Sequence, residues 1–175
     1  MHLACGDVFR ALDSNSELGK IFAAYSSRGE LVPDEITVKM WAEYTHSQSA
    51  QEIYKPDSQL LILDGIPRNL NQAQLMDEHI RVLSLVHLGC KDEDAMVDRL
   101  QRRALKENRA DDACEDVIRH RWKVYEKETQ PVISYYPASL VNVIDALGTP
   151  ARVLQEILEI VVPFQRSCFP DGVEM

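Results

Sequence analysis

Three short stretches of the chain, residues 59–63, 82–88 and 140–144, are almost continuously apolar. Apolar runs of that length predict strands buried on both faces, as in a parallel sheet. His2-Leu3-Ala4 reads as the end of another strand. The segments between them carry helical signals. Residues 7–28 predict helix, turn and helix, broken at Ser14-Asn15-Ser16, with Ser16 placed to cap the second helix. Gly29 ends that helix, since glycine takes φ > 0 without steric cost. Pro33 suits the start of a helix over 34–48. Further helices are predicted over 72–79, over 92–103 with Ala95, Met96 and Leu100 facing inward, over 115–128, from Pro131 onward, and over 150–162. Residues 107–112 are polar and predict a loop, and Pro163 predicts the start of a loose tail over 163–175.

Strands that alternate with helices predict an α/β fold, a parallel sheet flanked by helices. Ligands of such sheets bind beyond the C-terminal ends of the strands. Asp64, Gly65 and Asp145 stand at those predicted ends.

Composition narrows the function. The length suits one domain, and the 45% hydrophobic and 27% charged residues are ordinary for a globular protein. No apolar run is long enough to span a bilayer and no secretory signal opens the chain, so no membrane partner and a cytoplasmic location are expected. The net charge of -9 argues against a nucleic-acid partner. Four cysteines without a C-x-x-C pair argue against a zinc or dithiol centre. Against this acidic background Arg99, Arg102, Arg103, Arg109, Arg119 and Arg121 lie close together. They fit either a site for a compact anion or a solvated helix face with ion pairs.

Asp64 follows an apolar strand directly, where a carboxylate can steady Mg²⁺ or its waters; a turn-forming Asp-Gly is the plainer reading of the same pair. The run Asp64-Gly65-Ile66-Pro67-Arg68 says more as a unit. Gly65 allows close approach of a ligand, Pro67 stiffens the turn, and Arg68 can fork onto a phosphate. Gln72 lies one helical turn further on, and its amide offers the donor and acceptor that fit an adenine edge. Gly6-Asp7-x-x-Arg10 places a cation one turn into a helix, a weak signal alone.

Together these motifs resemble the adenylate kinases, in order, over roughly residues 1–160. His2-Leu3-x-Cys5-Gly6-Asp7-Val8-Phe9-Arg10, Ser16-Glu17-Leu18-Gly19 and Gly29-Glu30-Leu31-Val32-Pro33-Asp34-Glu35 resemble that family's monophosphate-binding region. Leu63-Asp64-Gly65-Ile66-Pro67-Arg68 with Gln72 resembles its signature. Asp98-Arg99 through Arg103, Asn108-Arg109-Ala110-Asp111-Asp112, Arg121 with Tyr125, Thr129-x-Pro131 and residues 145–153 resemble its hinge, short lid and closing segments. The resemblance implies a phosphate-loop-kinase-like domain over 1–162, with a monophosphate-binding region at 5–35 and a short lid at 104–114. It implies transfer of the terminal phosphoryl of ATP to AMP with Mg²⁺ as cofactor, giving two ADP, by a monomer. Cys5, Arg10, Glu30, Leu31, Val32, Gly65, Arg68, Gln72, Arg109 and Arg121 would then hold AMP. Arg99, Arg103 and Gly148 would face ATP, Asp64 would steady Mg²⁺ through water, and Arg68, Arg103, Arg109 and Arg121 would act on the transferring group.

The departures carry expectations of their own. The family opens with a strand, a G-x-x-x-x-G-K-[ST]-type loop and a helix, and these 175 residues contain no such run. The first strand of that fold, the central one, is therefore missing from the sequence, and a groove in the core is expected. Three readings follow. The product begins upstream and is an ordinary adenylate kinase; or it binds AMP without phosphorylating it, as a sensor or inactive paralogue; or it completes its sheet with another chain. One extra residue near Ala113-Cys114 blurs the register of Arg119 and Arg121, with Tyr125 and Thr129 favouring Arg121. Asn69 is reminiscent of the pyrimidine monophosphate kinases, whereas Gln72 speaks for adenine.

Overall fold

The computed structural model describes residues 1–90, 92–107 and 114–169. In chain order they form β1 (His2–Ala4), α1 (Cys5–Arg10), α2 (Glu17–Ser26), α3 (Asp34–Ala50), β2 (Ile62–Asp64), α4 (Leu70–Met76), β3 (Leu85–Gly89), α5 (Glu93–Glu107) and α6 (Glu115–Val124). A π-helical turn at Tyr125–Thr129, α7 (Gln130–Tyr135), a 3₁₀ turn at Ala138–Leu140, β4 (Val141–Asp145) and α8 (Pro150–Cys168) complete the fold.

Every strand pairing is parallel, as the alternation requires. β1 pairs with β2, Leu3 opposite Leu63, and β3 pairs with β4, Val86 opposite Asn142. The pairs form two two-stranded sheets rather than one. Burial on both faces, expected for the apolar runs, therefore does not occur: Ile62 is 44% exposed, Leu88 42% and Val143 70%. Each strand has one hydrogen-bonded neighbour, so half of the cover that a wider sheet gives its strands is not supplied.

The main core lies around β1 and β2. Leu3, Cys5, Phe9, Val38, Trp41, Ile66 and Met76 pack there, and Phe9 stacks on Phe22 with ring centroids 5.1 Å apart. α3 contributes Thr37, Val38, Met40 and Trp41, neighbours on one helical face. A second cluster, Ala73, Val132 and Tyr136, joins α4 to α7.

Local signals held well for helices. The Ser16 hydroxyl caps α2 by accepting the Gly19 N–H at 3.0 Å, and Gly29 has φ +72°. Val97 and Ala104 are the buried residues of α5, and the predicted Ala95, Met96 and Leu100 beside them are half-buried. α8 continues through Pro163 to Cys168, so residues 163–168, expected in a loose tail, are helical. Residues 170–175, the rest of that tail, lie outside the described residues.

Candidate active site

β1 and β2 end side by side, with Ala4 opposite Asp64. Cys5 and Gly65 therefore begin the two segments that leave the same sheet edge. Gly65 takes φ +76°, and a Cβ there would lie 3.0 Å from the Arg68 Nη2. The missing side chain makes room for the Arg68 guanidinium, whose Nε–H donates to the Gly65 carbonyl at 2.9 Å. Gly6 does the same for Arg10, whose guanidinium would meet a Cβ at 3.1 Å. Arg10 also pairs with Asp7 at 2.5 Å.

Arg68 is the focus of this edge. Its side chain is exposed, and the protein packed near its guanidinium lowers its pKa by partial desolvation. Cys5 and Asp64 favour its charge, while Arg121 and Arg10 oppose it. An arginine remains protonated against such a shift. Arg10, Arg68 and Arg121 thus share one electrostatic neighbourhood although they come from three distant parts of the chain. Burial raises the Cys5 pKa, Arg68 offsets this in part and Asp64 adds to the rise, so the 3% exposed thiol is held neutral.

Arg121 and Arg119 part company. Arg121 donates to the Ser26 carbonyl at 3.2 Å and to its hydroxyl at 3.4 Å, and its Cγ fills the space beside Gly29. Arg119 donates to Asp94 at 2.9 Å, Glu115 at 2.9 Å and Glu93 at 3.2 Å. These carboxylates raise its pKa and tie α6 to α5. Arg121 thus lies at the end of α2 and the Gly29 turn, and Arg119 in a surface ion-pair cluster.

Gln72 is 1% exposed. Its Oε1 accepts the Arg68 backbone N–H at 2.7 Å, and its Nε2 donates to Asp34 Oδ1 at 2.8 Å. One lone pair and one hydrogen of the amide remain beyond these two bonds. Leu31, Val32, Asp34 and Glu30 form one side of a cleft of about 560 Å³, opposite His120, Lys123 and Lys127 of α6 and the π-helical turn. Glu30 also pairs with Arg28 at 2.8 Å.

Arg99 and Gly148 lie beside the other sheet. Arg99 donates to the Ala146 carbonyl just past β4, near Gly148, where a Cβ would lie 3.2 Å from Arg152 Cδ. Arg103 is half-buried on the same helix, one turn beyond Arg99. Asp64 is exposed at the end of β2. Among the described residues no three His, Cys, Asp or Glu side chains gather as a metal cage. Arg109 and Asn108, with most of the expected lid, lie outside the described residues.

A model of the family described as "Adenylate kinase" matches residues 1–141. The chain belongs to the adenylate kinase family. An adenylate kinase of Thermobifida fusca is 39% identical over 167 residues, covering 89% of this chain and 82% of the relative. Adenylate kinases of Flavobacterium johnsoniae, at 34% over 91% of this chain and 84% of the relative, and of a Cyanothece strain, at 38% over 77% and 68%, are similar too. Membership in an adenylate kinase family agrees with the parallel α/β architecture and the arginines at the strand ends. No helix among the described residues is long and apolar enough to cross a membrane.

Two groups at this site were not assigned a role from sequence. Thr129 Oγ1 donates to the Arg68 carbonyl at 2.7 Å across 61 residues of chain. The Asp34 carboxylate accepts from Asn69 at 2.7 Å, Asn71 at 2.9 Å and Gln72 at 2.8 Å. Both residues stand in recognisable motifs, Thr129-x-Pro131 and Pro33-Asp34-Glu35, but spacing says nothing of partners so far away in sequence.

Proposed function

We propose that this chain acts in phosphoryl transfer from ATP to AMP and that the edge of the β1–β2 sheet is its AMP site. The observation that carries the reading is that Arg10 at Gly6 and Arg68 at Gly65 lie against the adjoining turns that leave β1 and β2, with Arg121 near enough to oppose the charge of Arg68. Guanidinium groups at adjoining turns can fork onto one anion, and an AMP phosphate is such an anion. Leu31, Val32 and Gln72 would take the nucleoside, Gln72 through its remaining donor and acceptor. Cys5 would line the site as a neutral, inert group, and Glu30 would contribute its backbone.

In the reaction an oxygen of the AMP phosphate attacks the γ-phosphorus of ATP, the bond to the β-phosphate oxygen breaks, and two ADP result. Little covalent work falls to the protein, whose part is positioning and neutralisation. Arg68 and Arg121 would hold the acceptor phosphate in line, and Arg109 would join them from the lid. Arg99, Arg103 and the Gly148 turn would face the donor. Mg²⁺ would neutralise the donor phosphates, and Asp64 fits the way that ion binds, through one or two carboxylates and retained waters.

The test follows two quantities. Calorimetric titration should give one AMP site per chain, tighter than that for adenosine. ADP should form from ATP, AMP and Mg²⁺. An affinity for AMP no greater than for adenosine would overturn the reading.

A further inference from the structure

We infer that Asp34 and Thr129 are positioning residues for Arg68, gripping the peptide groups on its two sides. The inference rests on the reading of Arg68 as a phosphate ligand. The Arg68 N–H donates to Gln72 Oε1 at 2.7 Å, and the Arg68 carbonyl accepts from Thr129 Oγ1 at 2.7 Å. Both backbone polar groups of this one residue thus end on side chains, one from α4 and one from the π-helical turn. Short π-helical segments are often retained where they aim a functional group.

The polarity of the network leaves Gln72 a single orientation. A backbone N–H only donates and a carboxylate only accepts, so Oε1 must face Arg68 and Nε2 must face Asp34. Asn69 is fixed in the same way: its Oδ1 caps α4 by accepting the Gln72 N–H at 2.8 Å, and its Nδ2 donates to Asp34. Asp34 therefore decides which end of a buried amide meets Arg68. Replacing it by alanine would take the acceptor from both the Gln72 and the Asn69 amides, which share Asp34 Oδ1, and would free Gln72 to turn away from the Arg68 N–H. The Arg68 peptide would then be free to rotate. Its guanidinium, which leans on the Gly65 carbonyl three residues away, would lose its aim.

The test compares AMP with adenosine in calorimetric titrations of the wild type, D34A, T129V and R68A, and of T129V combined with R68A. T129V is expected to weaken AMP binding about tenfold and to leave adenosine within about twofold; D34A, which also releases the Gln72 amide, is expected to weaken AMP at least as much and adenosine with it. On the R68A background T129V is expected to cost AMP affinity nothing further, because the two act on one contact. In T129V a purely structural role would lower both ligands together and add to R68A, and either result overturns the inference. Wild-type AMP affinity in T129V or in D34A overturns it as well. A wild type that fails to prefer AMP over adenosine would instead indict the AMP site itself.

Discussion

At the scale of single residues, glycines decide where the cations can go. Gly29 shows the effect most plainly. It takes φ +72°, and a Cβ there would lie 2.9 Å from Arg121 Cγ and 3.1 Å from the Val117 carbonyl. Gly29→Ala is expected to cost about 1–2 kcal/mol for the left-handed backbone alone, and to push Arg121 from its place. Denaturant melts should show the first effect and AMP titration the second. Residue identity made the turn legible: Gly65 was expected to allow a close approach, and it takes φ +76° with the Arg68 guanidinium against it, while a phosphate on Arg68 is the proposal. The roles of Asp34 and Thr129 were not legible, because they depend on contacts spanning 38 and 61 residues. Arg119 and Arg121 look alike in sequence, and only the carboxylates of Glu93, Asp94 and Glu115 around the first separate them.

Among the elements, helices were readable and strands only in part. The cap at Ser16 and the proline at 131 are local signals, and the helices stand where those signals put them. Ser16→Ala should lower stability by about 0.5–2 kcal/mol, the usual worth of such a cap, measured by thermal or denaturant unfolding. Strand burial is different, since both faces of Ile62 or Val143 depend on what packs there from elsewhere. Pro163 shows the limit of a local rule as well. It removes one helical hydrogen bond, yet α8 passes through it. β3 and the π-helical turn meet where His87 Nε2 lies 2.5 Å from the Tyr125 hydroxyl, with the rings stacked. Burial lowers the His87 pKa, so the fold favours the neutral ring. The contribution is then complete above the unfolded value of about 6.5 and is lost as pH falls through the lowered folded value. H87Q should flatten the acid limb of the stability profile between about pH 7 and 5, read by melting temperature against pH.

At the scale of the whole molecule, two parallel two-stranded sheets carry the two halves of the proposed nucleotide-kinase site. The β1–β2 half holds Arg10, Arg68 and Gln72, and the β3–β4 half brings Arg99 to the Ala146 turn. Parallel order and strand-end placement were readable from the alternation of elements; the split into two sheets was expected only as a groove. The central claim is that cations from distant segments converge on one phosphate. AMP affinity in R68A and R121A, with R119A as the reference, tests this most directly. A charge-assisted hydrogen bond is worth about 1.5–3 kcal/mol, so R68A and R121A should each bind AMP roughly 10- to 100-fold more weakly, at about 1.4 kcal/mol per tenfold. R119A should stay within about twofold of the wild type. Undiminished AMP binding by R68A, or a loss in R119A as large as in R121A, would contradict the account.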